Sequence, residues 1–308
     1  MTPDLVILGN LLVDDIVMSD GRTLMGEPGG AMLYASLAAR LWGARVALVS
    51  IAGSDYPQGA LDALAARGID LAGVKPLGRP GVRSWLLYEP AMRRIIHRLD
   101  SASHFDVSPV FGDIPAEFMR ARAFHIAPMP IDRQREIAAG LAANRPDAFV
   151  SLDPHETVRE DNRAVWGTVL DHVDAFFPSH EEVRLAEVEA DPRGALAHIP
   201  GRRLSIIAYK CGPEGGILVE RPTGRIIEWR AGRAPVVDAT GAGDGFAGGF
   251  LAGWLAYGDV DRAIEQGVVT ASFAIEDWGA GALMRATPES VEARRRDGSE
   301  LTGRAGSV

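Results

Sequence analysis

Residues 238–250 read Asp238-Ala-Thr-Gly-Ala-Gly-Asp-Gly-Phe-Ala-Gly-Gly-Phe250. Gly241, Ala242 and Gly243 are small enough for the backbone to close tightly on a ligand. The segment that follows, residues 246–257, is apolar with small residues and reads as a helix. A glycine-rich turn that feeds a helix leaves backbone N–H groups unpaired at the positive end of the helix dipole. Such a place holds phosphate. Asp244 lies at the mouth of the same turn. A carboxylate beside an anion cradle is a poor phosphate ligand, because like charges repel. It suits the base that takes a proton from an attacking hydroxyl.

Working outward, the chain alternates strand and helix patterns. Short apolar runs at 5–8, 46–51, 124–127, 148–152, 176–177 and 204–209 read as buried strands. Helical spacing at 30–42, 58–67, 132–143, 163–172 and 261–276 separates or follows them. Gly43 and Gly68 stand where helices stop. This rhythm predicts an α/β fold with a mostly parallel sheet covered on both faces. Two further runs, at 216–219 and 225–229, follow the last parallel strand. Two segments break the rhythm. Residues 13–18 follow the first strand without a helix, and 82–88 with 94–99 read as a hairpin around Glu89-Pro-Ala-Met. They predict a small separate sheet, inserted at about 11–28 and 81–100 of a single domain spanning 1–308. Residues 297–308 are polar and read as a frayed tail.

Composition narrows the class. The chain has 308 residues, of which 47% are hydrophobic and 24% charged, ordinary globular usage. A net charge of −9 argues against nucleic acid as a partner. One cysteine, Cys211, excludes an intrachain disulfide and fits a reducing compartment. No apolar stretch approaches the ~20 residues that cross a bilayer, so no membrane partner and a cytoplasmic location are expected. The first strand runs into Gly9-Asn-Leu-Leu-Val-Asp14, which is not a dinucleotide-binding turn. The lysines are Lys75 and Lys210, neither in a G-K-[ST] sequence, so a Walker-type P-loop is absent. The histidines show no metal-ligand spacing.

The Asp238, Thr240, Gly241, Ala242, Gly243, Asp244 pattern resembles the D-T-x-G-A-G-D signature of the ribokinase-like (PfkB-type) carbohydrate kinases. The resemblance spans residues 5–281. It implies a three-layer sandwich with a mostly parallel central sheet, and a small inserted β-sheet that acts as a lid over the sugar. It also implies transfer of the γ-phosphoryl group of ATP, with Mg2+, to a hydroxyl of a small sugar or polyol. On that reading Asp244 is the base, and the N–H groups of 241–244 stabilise the charge that develops on the transferred group. The turn Gly212-Pro-Glu-Gly215, after the strand ending near Lys210, is similar to the family's G-x-x-G beside the nucleotide phosphates. Lys210, Gly212, Gly215 and Thr240 are therefore the expected nucleotide contacts, with Gly241 and Gly243.

On the acceptor side the resemblance implies Asp14, from the G-x-x-x-x-D segment, together with Asn10 and the pair Gly29-Gly30. An ionised carboxylate accepts two hydroxyl hydrogen bonds at once, which suits a polyol. Asp15 reads as its solvated neighbour. Tyr34 stands where the family has a substrate-touching asparagine, and an aromatic ring there suits stacking on a base or lining a cyclitol. Ser179-His-Glu-Glu182 is similar to the family's N-x-x-E, which makes Glu182 the magnesium residue, with Glu181 as the alternative. Ser179 and Glu182 equally suit a capping box at a helix start. Gly53-Ser-Asp55 reads as loop geometry and helix capping, and Arg83, Arg98 and Trp85 as a solvated lid face. Asp153-Pro-His155 ends a central strand, with His155 where the family has asparagine. His125 suits either the pocket or the core. Segments 271–278 and 279–281 resemble the family's adenine-side helix and loop. Three readings stay open: a sugar or sugar-acid kinase, a kinase for a nucleoside or inositol, and a ligand-binding relative without catalysis. Free lid edges suit a homodimer.

Overall fold

The computed structural model describes residues 2–89 and 93–297. The turn expected at 89–92 and the tail beyond 297 lie largely outside the described residues. Nine strands form one sheet. Seven run parallel, in the order Ile206–Lys210, Ala175–Phe176, Phe149–Leu152, Ala123–Ile126, Leu5–Leu8, Val46–Ala52, Asp70–Pro76. The strands Gly216–Glu220 and Arg225–Trp229 add an antiparallel hairpin beyond Ile206–Lys210.

Alternation along the strands builds two cores. Leu5 and Ile7 join one apolar cluster with Met32, Phe246 and Ile264; Val6 and Leu8 join another with Ile137, Trp166 and Val169. Helices Ala31–Leu41, Ala242–Tyr257 and Val260–Ala274 cover the first face, and Ile131–Asn144 and Arg163–Leu170 cover the second. The three-layer α/β architecture therefore follows from a period-two pattern on strands buried on both sides. The small residues of the signature helix have a packing role as well. A Cβ at Gly248 would meet the Ala35 carbonyl at 2.1 Å, and one at Gly249 the Thr270 hydroxyl at 2.1 Å.

Strand Asp70–Pro76 was not expected from the sequence. It is an outermost strand with half-exposed residues, no clean alternation and a terminal proline, which is how edge strands commonly read. The helix Pro288–Asp297 was not expected either; its charged, weakly patterned sequence hides it.

A separate four-stranded sheet has the order Thr23–Gly29, Leu12–Val17, Arg83–Tyr88, Arg93–His97. Cross-strand partners Glu27, Asp14, Ser84 and His97 form one row. Registered partners share a face, so Asp14, Ser84 and His97 point to the same side. Tyr88 lies on that side too, four residues along from Ser84. Asp15 and Arg83 occupy the opposite face. Among the described residues no helix is long and apolar enough to cross a membrane.

Candidate active site

The signature turn ends in the helix Ala242–Tyr257, so the helix begins four residues earlier than its apolar run suggests and Asp244 falls in its first turn. Gly241 is the N-cap at φ 78°, ψ 1°, a left-handed conformation that only glycine adopts without strain. A Cβ there would lie 2.1 Å from the Tyr34 ring. Gly243 lies in the first turn of this helix, at the positive end of its dipole. Asp238 is buried and anchors the turn: its carboxylate accepts from the N–H of Thr240 at 2.9 Å and of Gly279 at 2.9 Å. Tyr88, from the small sheet, donates its hydroxyl to the same carboxylate and hydrogen-bonds with the Thr240 hydroxyl. Nothing in the sequence marks this tyrosine.

Asn10, Asp14, Gly29, Gly30 and Tyr34 gather opposite the turn. Asp14 is buried against Gly29, where a Cβ would meet its carboxylate at 2.0 Å. Gly30 has φ 103°, and a Cβ there would strike the Asn10 carbonyl at 2.1 Å. Asn10 is 3% exposed; its Oδ1 accepts from the Ser108 hydroxyl at 2.9 Å, and its Nδ2 has no partner among the described residues. Tyr34 is 2% exposed. Burial, reinforced by the charges of Asp14, Asp238 and Asp244, lifts its phenol well above the ordinary value. Tyr34 therefore supports the turn from beneath among three carboxylates. Its ring is covered, which corrects the expectation that it stacks on a base.

Lys210 pairs with Asp153 at 2.7 Å, both nearly buried. Its Nζ lies 3.1 Å from where a Gly243 Cβ would be. Burial opposes the charge on Lys210, but Asp153, Glu182 and Asp244 outweigh it and hold its pKa above the ordinary value. Burial lifts the Asp153 carboxyl well above its usual range against the pull of Lys210. A cleft of about 750 Å3 opens beside this pair. Its lining includes Lys210, Gly212, Gly215 and Gly243 with the apolar Trp229, Phe246, Val268, Ala271 and Ile275. Trp229 and Phe246 are stacked at 5.0 Å. Gly215 is also required by the hairpin, since a Cβ would strike the Trp229 carbonyl.

Several expectations are corrected. Asp15 is not solvated: it is fully buried and clamped by Arg83 (Nε and Nη2 both at 2.7 Å) and the Gly26 N–H (2.8 Å). Arg83 is accordingly an ion-pair partner, not a solvated side chain. Asp55 caps no helix; its carboxylate accepts from the Gly81 N–H at 2.7 Å and ties the loop to the small sheet. Glu182 accepts from the Ser179 N–H at 2.7 Å, as a capping-box partner does, but it closes a turn and no helix starts there. Gly279 donates its N–H to Asp238, and Ala271 and Ile275 line the cleft. His125 is a core residue, buried and hydrogen-bonded with Ser151 at 3.0 Å. Burial, with the Lys210 charge, lowers its pKa to about 3.

The histidines, scattered in sequence, partly converge. His97 of the small sheet meets His104 at 4.7 Å between ring centroids, and His104 meets His155 at 5.2 Å. Among the described residues no group of three or more His, Cys, Asp or Glu is arranged to hold a metal ion.

Comparison with known proteins shows the family. Residues 4–287 match the pfkB family carbohydrate kinase model. The chain belongs to that family, and is a kinase that uses an alcohol group as acceptor. It is 27% identical to a cytidine kinase of Thermococcus kodakarensis, over 90% of this chain and 97% of the relative. It is 30% identical to an ATP-dependent ribose-1-phosphate kinase of Halopiger xanaduensis, over 92% of this chain and 93% of the relative. An Escherichia coli chain described as a ribokinase II, solved in complex with ATP and Mg2+, superposes with a TM-score of 0.76 at 19% identity, covering 96% of this chain and all of that one.

Proposed function

We propose that this protein transfers the γ-phosphoryl group of ATP to a hydroxyl on the ribose of a nucleoside. The observation that carries the reading is the meeting of two half-sites. An anion-binding helix start with Asp244 in its first turn packs, through Tyr34, against the Asp14–Gly29–Gly30 corner. The apolar cleft beside Lys210 takes the adenosine of ATP, and its phosphates run from Gly212 and Gly215 to the 241–244 turn. Asp14 and the Asn10 amide hold the acceptor's hydroxyls.

Asp244 accepts the proton of the attacking hydroxyl while backbone N–H groups of the turn meet the charge spreading onto the transferred group. Lys210, held charged by its carboxylate neighbours, adds a cation at Gly243. Glu182, beside the turn, fits an ion that keeps several waters and takes few carboxylates. Magnesium bound there would neutralise charge on the phosphates. The small sheet acts as a lid, joined to the turn through Tyr88 and Asp238, and excludes competing water. Asp14 and Glu27 on its inner face favour a neutral acceptor over a phosphorylated one. The similarity to a cytidine kinase over nearly the full length of both chains supports a nucleoside.

The test is ADP release from magnesium-ATP by the wild type and Asp244→Asn. The acceptor panel holds nucleosides, ribose, hexoses and inositols. Acceptor-dependent release with nucleosides, falling about 100- to 10,000-fold in the variant, is expected. Full activity in Asp244→Asn would remove the base. A preference for free sugars or inositols would remove the nucleoside.

A further inference from the structure

We propose that His97, His104 and His155 form the subsite that holds the heteroaromatic base of the acceptor. This rests on the nucleoside reading above and deepens it to named residues. The register of the small sheet places the wall. Glu27, Asp14, Ser84 and His97 lie in one row, so the face that presents Asp14 also presents His97. Ser84 hydrogen-bonds with His97 Nδ1 at 2.8 Å and fixes that ring.

From Ser84 the same strand runs four residues to Tyr88, a distance of ~13 Å at strand rise. Tyr88 marks the phosphate end through Asp238 and Thr240. The inner face of the lid therefore touches the main body at two ends, one at the phosphate turn and one at the histidines. A pentose ring is shorter than that span. A ribose carrying a base along the same line reaches from one end to the other.

The far end has the chemistry of a base subsite. His104 and His155 come from separate segments of the main body and continue the aromatic wall begun by His97. His97 and His155 remain exposed at its rim. Burial, then the flanking His155 and His97, lowers the His104 pKa to about 4, so its ring is neutral near pH 7. A neutral imidazole presents a flat face, one donor and one acceptor, which matches a base edge that carries both. Beneath the wall, the Ser108 hydroxyl lies within hydrogen-bond reach of the His104 carbonyl (2.6 Å) and of Asn10 Oδ1 (2.9 Å). The nearly buried Asn10 amide has an unused donor there.

The experiment measures KM for cytidine, uridine, adenosine and ribose, and KM for ATP, in the wild type, His97→Ala and His155→Ala. These two are chosen because they are exposed. His104→Gln, which keeps hydrogen bonding without an aromatic face, is the third variant. Calorimetric nucleoside binding and thermal unfolding accompany each. The expected result is a wild-type preference for at least one nucleoside over ribose. That preference falls about tenfold in each variant, with KM for ATP and the unfolding temperature retained. A wild-type nucleoside preference that survives in all three folded variants would overturn the subsite and leave the nucleoside reading standing. A wild type that uses ribose as well as any nucleoside would overturn both.

Discussion

The phenol of Tyr88 donates a hydrogen bond to the carboxylate of Asp238 across 150 residues of chain. The first belongs to the small sheet and the second opens the 238–244 turn. Asp238 also holds the N–H groups of Thr240 and Gly279, so the position of the small sheet and the shape of the turn share one carboxylate. Tyr88→Phe keeps the ring and deletes the donor. A hydrogen bond to a charged group contributes about 1.5–3 kcal/mol, equivalent to roughly 10- to 150-fold in a rate. We expect turnover to fall by about that range, and the ratio of ATP hydrolysed to acceptor phosphorylated to rise. Wild-type turnover with unchanged coupling would reduce Tyr88 to a packing residue.

Glu182 offers a cleaner separation of charge from structure. Its carboxylate accepts from the Ser179 N–H, and an amide oxygen can accept the same bond, though more weakly. Glu182→Gln should therefore lower stability to urea by no more than about 1 kcal/mol. It should raise the magnesium concentration for half-maximal rate by about 10- to 100-fold, as removal of an outer-shell partner does. An unchanged magnesium requirement would leave Glu182 as the residue that closes the 179–182 turn.

These two residues show what the sequence discloses and what it does not. Glu182 stands out as a candidate because it sits in a short contiguous pattern, as do Asp14, the glycine pair and the 238–244 turn. The inner strands of the main sheet were legible because they are buried on both faces and read as unbroken apolar runs, whereas the half-exposed edge strand Asp70–Pro76 was not. Tyr88 was not legible, because a lone tyrosine ending a strand carries no signal about a partner 150 residues away. His97 and His104 stand seven residues apart and His155 lies 51 further on; the register of the small sheet places the first, and only the fold brings the other two rings against it. Asp15 was misread because neighbouring carboxylates on a strand point to opposite faces, and sequence alone does not show that Arg83 waits on the second face. Tyr34 was misread because a residue type was weighed without its depth: its ring is spent on supporting Gly241.

His125 should impose an acid limit on stability. Burial, with the Lys210 charge, depresses its pKa to about 3 in the folded protein, against an ordinary value near 6.5. The unfolded chain therefore binds the extra proton first as pH falls. The stability that His125 contributes is fully present above about pH 6.5 and is lost as pH drops toward 3, by up to ~1.4 kcal/mol per pH unit. His104, lowered to about 4, adds a slope of the same sign. Urea unfolding between about pH 7 and 5 should show this loss. The loss should be shallower by about one proton in His125→Gln, whose amide can still meet Ser151. An identical slope in the variant would place the acid sensitivity elsewhere.

Gly241 is where backbone conformation, packing and chemistry meet. Its φ of 78° strains any L side chain by ~1–2 kcal/mol, and a Cβ would lie 2.1 Å from a tyrosine ring that is 2% exposed and has nowhere to move. Gly241→Ala should therefore deform the turn proposed to cradle phosphate, lowering kcat/KM for ATP by about 100-fold or more, a loss of ~2.7 kcal/mol of transition-state binding. Adding Tyr34→Ala removes the clash but not the strain. The double variant should bind ATP better than Gly241→Ala alone while staying below the wild type, a coupling that a mutant cycle reads directly. Additive effects would mean that Tyr34 does not shape the turn. Wild-type ATP kinetics in Gly241→Ala would mean that the phosphates are held elsewhere.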